Sequence, residues 1–325
     1  QRAHAGHAVA DEDEPRVRAR RLTARARCAR EPAVAIRKGA AYLCCALQRR
    51  PGDDDVQRYD LYLGRLHGLP PVIGRHARLL VLGSFGQNWT NTLLPSGLTG
   101  HWYADLWADQ TRALPHHLRR AISLTHFRHP SIQAMAAAVL REHHGPLALC
   151  GTSMGGMIAL EALRQAPGRI TGLALLGSNA RPETEAMRAL RSTAVRQFRA
   201  GQVREVIEPN VALAFHADGA GRPDLRARYW RFILSAGGEA LARQNEAVMD
   251  RPDARPHLSR IACPTLVVCG ADDMLTPPEC SQEMASAIRS AELALIPRCG
   301  HLLTMERAPQ VNALLQGWIS RWHRV

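Results

Sequence analysis

The stretch Leu147-Ala148-Leu149-Cys150-Gly151-Thr152-Ser153-Met154-Gly155-Gly156 decides the reading of this chain. Four apolar residues without polar alternation end at a glycine, the pattern of a strand buried on both faces of a sheet. From Met154 to Gln165 the pattern turns helical, and Pro167-Gly168 closes it. Between strand and helix stands G-x-S-x-G, a turn that holds its serine in strained backbone at a helix N-terminus. The flanking glycines remove side chains that would clash there. In such a turn the backbone N–H of Met154 points to where an oxyanion would form. A Gly-rich turn with an incidental serine has the same spelling, so the surroundings must decide.

The same alternation extends both ways along the chain. Apolar runs occur at Leu79–Leu82, Thr92–Leu94, Ala121–Leu124, Leu173–Leu176, Thr265–Cys269 and Leu293–Ile296, and several end at Gly or Pro. Helical stretches separate many of them: Ser131–His143, Met154–Gln165 and Gln310–Trp322. In the last, Val311, Leu314, Leu315, Trp318, Ile319 and Trp322 recur at helical spacing. Strand and helix in alternation predict a doubly wound, mostly parallel α/β sheet, whose ligands bind at the carboxyl ends of the strands. One region breaks the alternation. From about 181 to 259 the pattern is helical and polar, a helical insertion predicted to cover that edge as a lid. Its aromatic cluster, Tyr229, Trp230 and Phe232, reads as the core of the insertion.

A serine hydroxyl is a poor nucleophile without a base. In a sheet of this kind the partners follow in the order Ser, acid, His. After the run Leu266–Gly270 come Ala271-Asp272-Asp273-Met274-Leu275-Thr276-Pro277, and after Leu293–Pro297 come Arg298-Cys299-Gly300-His301. Each candidate group follows its own strand, so the sheet would gather all three on one edge. A turn-capping Asp and a surface His are common separately; their ordered occurrence favours a Ser-His-Asp triad.

Residues 76–325 resemble the α/β-hydrolase superfamily, above all the bacterial esterase and lactonase-type members such as 3-oxoadipate enol-lactonases and pimeloyl-ester esterases. The resemblance is carried by Gly151-Thr152-Ser153-Met154-Gly155-Gly156, by Cys263–Asp273 with Thr276-Pro277-Pro278, and by Cys299-Gly300-His301-Leu302. It puts the acid at Asp273, three residues after the glycine that ends the strand, and implies a carboxylic ester or lactone as substrate. It implies no metal and no organic cofactor. Many members carry His-Gly in the oxyanion loop, and this chain departs from that pattern. Two loops compete for the role: Leu93-Leu94-Pro95-Ser96-Gly97-Leu98, which resembles a Leu-Pro-Gly version with one residue extra, and Leu82-Gly83-Ser84-Phe85-Gly86. The first is preferred and makes the Leu98 N–H the second oxyanion donor, with Trp102 and Tyr103 beyond it as pocket walls. Other serine-dependent members remain open as alternatives: C–C bond hydrolases, acyltransferases and cofactor-free perhydrolases. So does a non-catalytic binding protein on the same scaffold. A serine in this position disfavours the dehalogenases and epoxide hydrolases, which use a carboxylate.

The formal net charge is +13, and Lys38 is the only lysine. Arg clusters neutralise phosphates, but this excess is spread along the chain without a recognition motif. It reads as a general preference for Arg on the surface, and no nucleic-acid partner is expected. No apolar run is long enough to span a membrane, and none is expected as a partner. The first residues, QRAHAGHAVADEDE, lack the apolar region of a secretory signal, although the chain starts at Gln1 rather than Met. The eight cysteines include no CxxC pair, which argues against metal binding and a disulfide framework and suits the cytoplasm. Cys150 and Cys269 read as small buried hydrophobes. Residues 1–75 alternate acidic and basic blocks and read as a poorly ordered or partly folded basic extension; within it Ala33–Leu47 predicts a short helix. The sequence does not indicate an oligomeric state.

Overall fold

A computed structural model describes residues 34–38, 41–45, 78–82, 104–113 and 129–322. Its sheet has seven strands: β1 (Val34–Lys38), β2 (Ala41–Cys45), β3 (Arg78–Leu82), β4 (Leu147–Thr152), β5 (Ile170–Leu176), β6 (Thr265–Gly270) and β7 (Ala291–Ile296). Their spatial order is β2-β1-β7-β6-β5-β4-β3. Strands β3 to β7 are parallel, whereas β1 is antiparallel to both β2 and β7. The predicted α/β architecture is thus observed, a mostly parallel sheet with helices on both faces.

The period of two in a strand divides the core. On β4, Leu147 and Leu149 join one apolar cluster, while Ala148 and Cys150 join the other. Strand β5 divides likewise, with Leu173 and Leu175 on one face and Ala174 and Leu176 on the other. All six residues of β4 are buried, which is why these strands read as unbroken apolar runs. One face is covered by α2 (Ile132–Glu142), α3 (Met154–Gln165) and α10 (Pro278–Ala287); the other carries α1 (Ala104–Ala113) and α12 (Ala308–Trp322). The Ser131 hydroxyl caps α2 by accepting from Ala134 N–H at 3.1 Å. Trp318 of α12 is fully buried, and its indole N–H donates to the Pro264 carbonyl at 3.0 Å.

Between β5 and β6 lies a run of helices, referred to below as the insertion: α4 (Glu185–Arg199), α5 (Val203–Ile207), α6 (Val211–Ala214), α7 (Ala217–Ala220), α8 (Pro223–Leu234) and α9 (Gly238–Met249). Thr184 caps α4, and Pro223 occupies the first turn of α8, where its missing N–H costs nothing. Tyr229 and Phe232 are buried inside the insertion, with Phe215 meeting Tyr229 edge-on at 5.7 Å between ring centroids. The two stems of the insertion meet. Ala254 N–H bonds the Ala180 carbonyl at 2.9 Å, and the half-buried Glu183 lies 2.6 Å from Arg191 and 2.8 Å from Arg251.

One expectation is corrected. The predicted helix over Ala33–Leu47 is instead the strand pair β1 and β2. Alanines supply its helical signal, but the β-branched Val34 and Ile36 and the aromatic Tyr42 suit strands, and β7 offers an edge to pair with. The rest of the 1–75 segment lies outside the described residues, as do the runs Thr92–Leu94 and Ala121–Leu124. Cys150, Cys263, Cys269, Cys280 and Cys299 are free thiols. Among the described residues no helix is long and apolar enough to cross a membrane.

Candidate active site

Strand β4 ends at Thr152 and α3 begins at Met154, so one residue makes the whole turn. That residue, Ser153, has φ 51° and ψ −119°, a conformation that costs a non-glycine residue about 1–3 kcal/mol. The surrounding backbone holds it there. Ser153 N–H donates to Leu176 O at 2.9 Å; its carbonyl accepts from Gly156 N–H at 3.0 Å and from the Ser178 hydroxyl at 2.8 Å. Although Ser153 stands at the N-cap of α3, its side chain makes no capping bond. Met154 is the first helical residue, and first-turn N–H groups have no acceptor within the helix. They also lie at the positive end of the helix dipole.

The glycines of the motif are required by contact. A Cβ on Gly155 would stand 2.5 Å from the Leu82 carbonyl carbon of β3 and still closer to its oxygen; one on Gly156 would stand 2.6 Å from Ser178 Cβ. Gly155→Ala must therefore push β3 away from α3. It is expected to lower stability by roughly 1–3 kcal/mol, read as a lower urea midpoint at unchanged slope. An unaltered midpoint would contradict this packing.

Asp273 follows β6 and His301 follows β7. His301 Nδ1 lies 2.9 Å from Asp273 Oδ2 and 3.1 Å from Oδ1, and both residues are buried. Asp272 is exposed and does not take part. Asp273 Oδ1 also accepts from the backbone N–H groups of Leu275 and Thr276, each at 2.9 Å; Oδ2 accepts from the Thr276 hydroxyl at 2.8 Å. Burial alone would push this carboxyl up. The charge of His301 and the hydrogen bonds from His301 and Thr276 outweigh it and hold Asp273 below its ordinary range. An ionised carboxylate only accepts, so Nδ1 carries a proton, and in the neutral ring the lone pair is then on Nε2.

Gly177, at the end of β5, joins the elements. A Cβ there would sit 3.2 Å from Asp273 Oδ2 and 3.4 Å from His301 Nδ1. The preceding residue, Leu176, accepts the Ser153 N–H bond. The turn after β4 and the loops after β6 and β7 thus meet around the end of β5. Of the residues singled out from sequence, Ser153, Met154, Asp273 and His301 gather on this edge. Leu98, Trp102 and Tyr103 lie outside the described residues, as does the rival loop residues 83–86.

Three participants are given no role in the site by the sequence, although Thr276 stands in a stretch that carries the resemblance. Thr276 donates to Asp273 through both backbone and hydroxyl, and its oxygen is 3.2 Å from His301 Nδ1. Gly177 leaves room for the pair. Glu306, in α11 (Leu303–Glu306), is buried and accepts from Gly300 N–H at 2.7 Å and from His216 N–H at 3.1 Å. Burial pushes its carboxyl up, against the pull of those two N–H groups.

Comparison with known proteins agrees with this architecture. The family described as serine aminopeptidase, S33, matches residues 123–308, more than half of the chain. A protein of Klebsiella pneumoniae named as a carbamate hydrolase, RutD, is 28% identical over 177 residues, covering 53% of this chain and 65% of that protein. The chain spans between 31% and 68% of the length of the curated carbamate hydrolases it matches. Among solved structures, a thermophilic esterase from Thermogutta terrifontis superposes with a TM-score of 0.65 at 25% identity, covering 77% of this chain and 92% of that one. An enol-lactonase from Burkholderia xenovorans gives 0.62 at 21% identity, covering 76% and 92%; at that identity the likeness speaks for the fold alone. From the strand–serine–helix turn, the sheet order and the family match together, the chain belongs to the serine aminopeptidase S33 family of α/β-hydrolases.

Proposed function

We propose that this hydrolase cleaves a small carboxylic ester or lactone through an acyl-enzyme on Ser153. The observation that carries the reading is the buried Asp273–His301 pair beside the positive-φ serine turn. His301 Nε2 accepts the Ser153 proton as Oγ attacks the acyl carbon. The oxyanion receives the Met154 N–H and, by the resemblance of Leu93–Leu98 to an oxyanion loop, the Leu98 N–H. His301 then gives its proton to the leaving alkoxide, and the acyl-enzyme remains. Water next loses a proton to His301 and attacks the acyl carbon; Ser153 leaves, takes the proton back, and the acid is released. Asp273 keeps the imidazole in the required tautomer and offsets its positive charge. Each step balances without a metal or redox partner, so no cofactor is called for. Trp102 and Tyr103 are assigned to the pocket wall, and the helical insertion to the role of lid. Free thiols at Cys150, Cys263, Cys269, Cys280 and Cys299 favour a reducing compartment such as the cytoplasm.

A second reading is supported by the relatives named as carbamate hydrolases. The carbonyl of a carbamate ester accepts the same attack: its C–O bond breaks, the alcohol leaves with the proton from His301, and water then releases the carbamoyl group from Ser153 as a carbamic acid. Assays with p-nitrophenyl butyrate, a lactone series, an N-alkyl carbamate ester and an aminoacyl p-nitroanilide separate these readings. Turnover of esters or lactones at the highest kcat/KM is the expected result. A clear preference for the carbamate supports the second reading, and a clear preference for the anilide sinks both.

A further inference from the structure

We infer that Glu306 is a positioning residue that clasps the His301 loop to the insertion, so that the insertion sets where His301 stands. The inference rests on the triad reading above. Glu306 Oε2 receives the N–H of Gly300, the residue before His301, at 2.7 Å. Its Oε1 receives the N–H of His216, the N-cap of α7, at 3.1 Å. One buried carboxylate therefore joins the base's own loop to the β5–β6 insertion.

The surrounding contacts leave little slack. Leu302 N–H, on the other side of His301, donates to the Ala214 carbonyl of α6 at 3.0 Å. A Cβ on Gly300 would stand 2.6 Å from the Phe215 carbonyl carbon. A Cβ on Gly219 of α7 would stand 2.9 Å from Glu306 Cδ and closer still to Oε1. His301 is thus flanked by residues 300 and 302, and both hold on to residues 214–216. A carboxylate suits the position because it has two acceptor oxygens for two donors. A carboxamide has one, and its NH2 group would face an N–H.

Two substitutions approach the clasp from opposite sides. Glu306→Gln removes one acceptor. Gly219→Ala keeps the carboxylate and pushes it aside, in a helical residue whose backbone tolerates alanine. Gly317→Ala, where a Cβ meets nothing, is the control. The readouts are the rate at which a fluorophosphonate labels Ser153, and kcat and KM on the best substrate, with melting curves to confirm folding. Both variants are expected to lower labelling and kcat by roughly tenfold or more, since small displacements of a catalytic group carry costs of that order. KM should change little, and the control should match wild type. Loss of melting temperature with labelling and kcat intact would mean a merely structural role and overturn the inference. If Glu306→Gln does not fold, Gly219→Ala carries the test alone, and wild-type labelling in it overturns the inference equally. A wild-type protein that resists the probe at Ser153 overturns the triad reading first, a result distinguishable from failure of the clasp.

Discussion

Ser153→Ala is expected to lower turnover by on the order of 10⁴-fold or more, because removal of a nucleophile leaves only binding and oxyanion stabilisation. The fold should survive it. The hydroxyl does not cap α3, and the bonds that hold the turn are made by the Ser153 N–H and carbonyl, which alanine keeps. Alanine meets the same backbone strain as serine, so the melting temperature should move by only a few degrees, the equivalent of less than about 1 kcal/mol. Two measurements decide the matter: hydrolysis of p-nitrophenyl butyrate by the purified variant, and its thermal melt beside wild type. A folded variant with full activity would show that Ser153 is not the nucleophile.

Asp273→Asn is expected to cost on the order of 10³ to 10⁴-fold in kcat while leaving the site assembled. The argument turns on which oxygen the amide replaces. Oδ1 accepts from two backbone N–H groups, of Leu275 and Thr276, and must remain an oxygen. The NH2 group then falls at Oδ2, against His301 Nδ1. There it donates, so Nδ1 must accept, and the ring proton moves to Nε2. In that tautomer His301 cannot take a proton from Ser153. An Asp273→Asn enzyme with near-wild-type kcat would refute the geometry. The variant also has a pH signature. Asp273 ionises below its ordinary value of 3.8 in the folded chain. Its stabilisation is therefore complete above the unfolded value and lost as pH falls through the folded one. Acid titration of stability should be shallower below about pH 4 in Asp273→Asn than in wild type.

Much of this arrangement can be read in the sequence because period and punctuation report on burial. Strand β4 and helix α3 are legible since every residue of the strand is buried and the helix opens on glycines that nothing else can replace. That an acid and a histidine follow β6 and β7 comes from the same regularity, and the choice of Asp273 over Asp272 comes from the family resemblance. What cannot be read rests on individual contacts that the pattern of residue types does not encode. Glu306 is one of many acids until Gly300 and His216 are seen to meet at it. Thr276 looks like a turn residue, and Gly177 an ordinary strand stop. The β1–β2 pair is misread for a related reason. Two five-residue segments have too little pattern of their own, and the edge that selects them lies at β7.

The closed stems of the insertion bear on how such an enzyme changes over generations. The excursion leaves the sheet beside Ala180 and returns beside Ala254, with Glu183 and Arg251 pinned together at the neck. Since the entropy of closing a loop grows only slowly with its length, residues 184–250 form a cassette that can lengthen, shorten or be rewritten at little expense to the strands. On the proposal that the insertion is the lid, substrate range can drift in that cassette while the chemistry stays in place. Its freedom is bounded: whatever replaces it must still present main-chain atoms where Ala214 and His216 now meet the His301 loop.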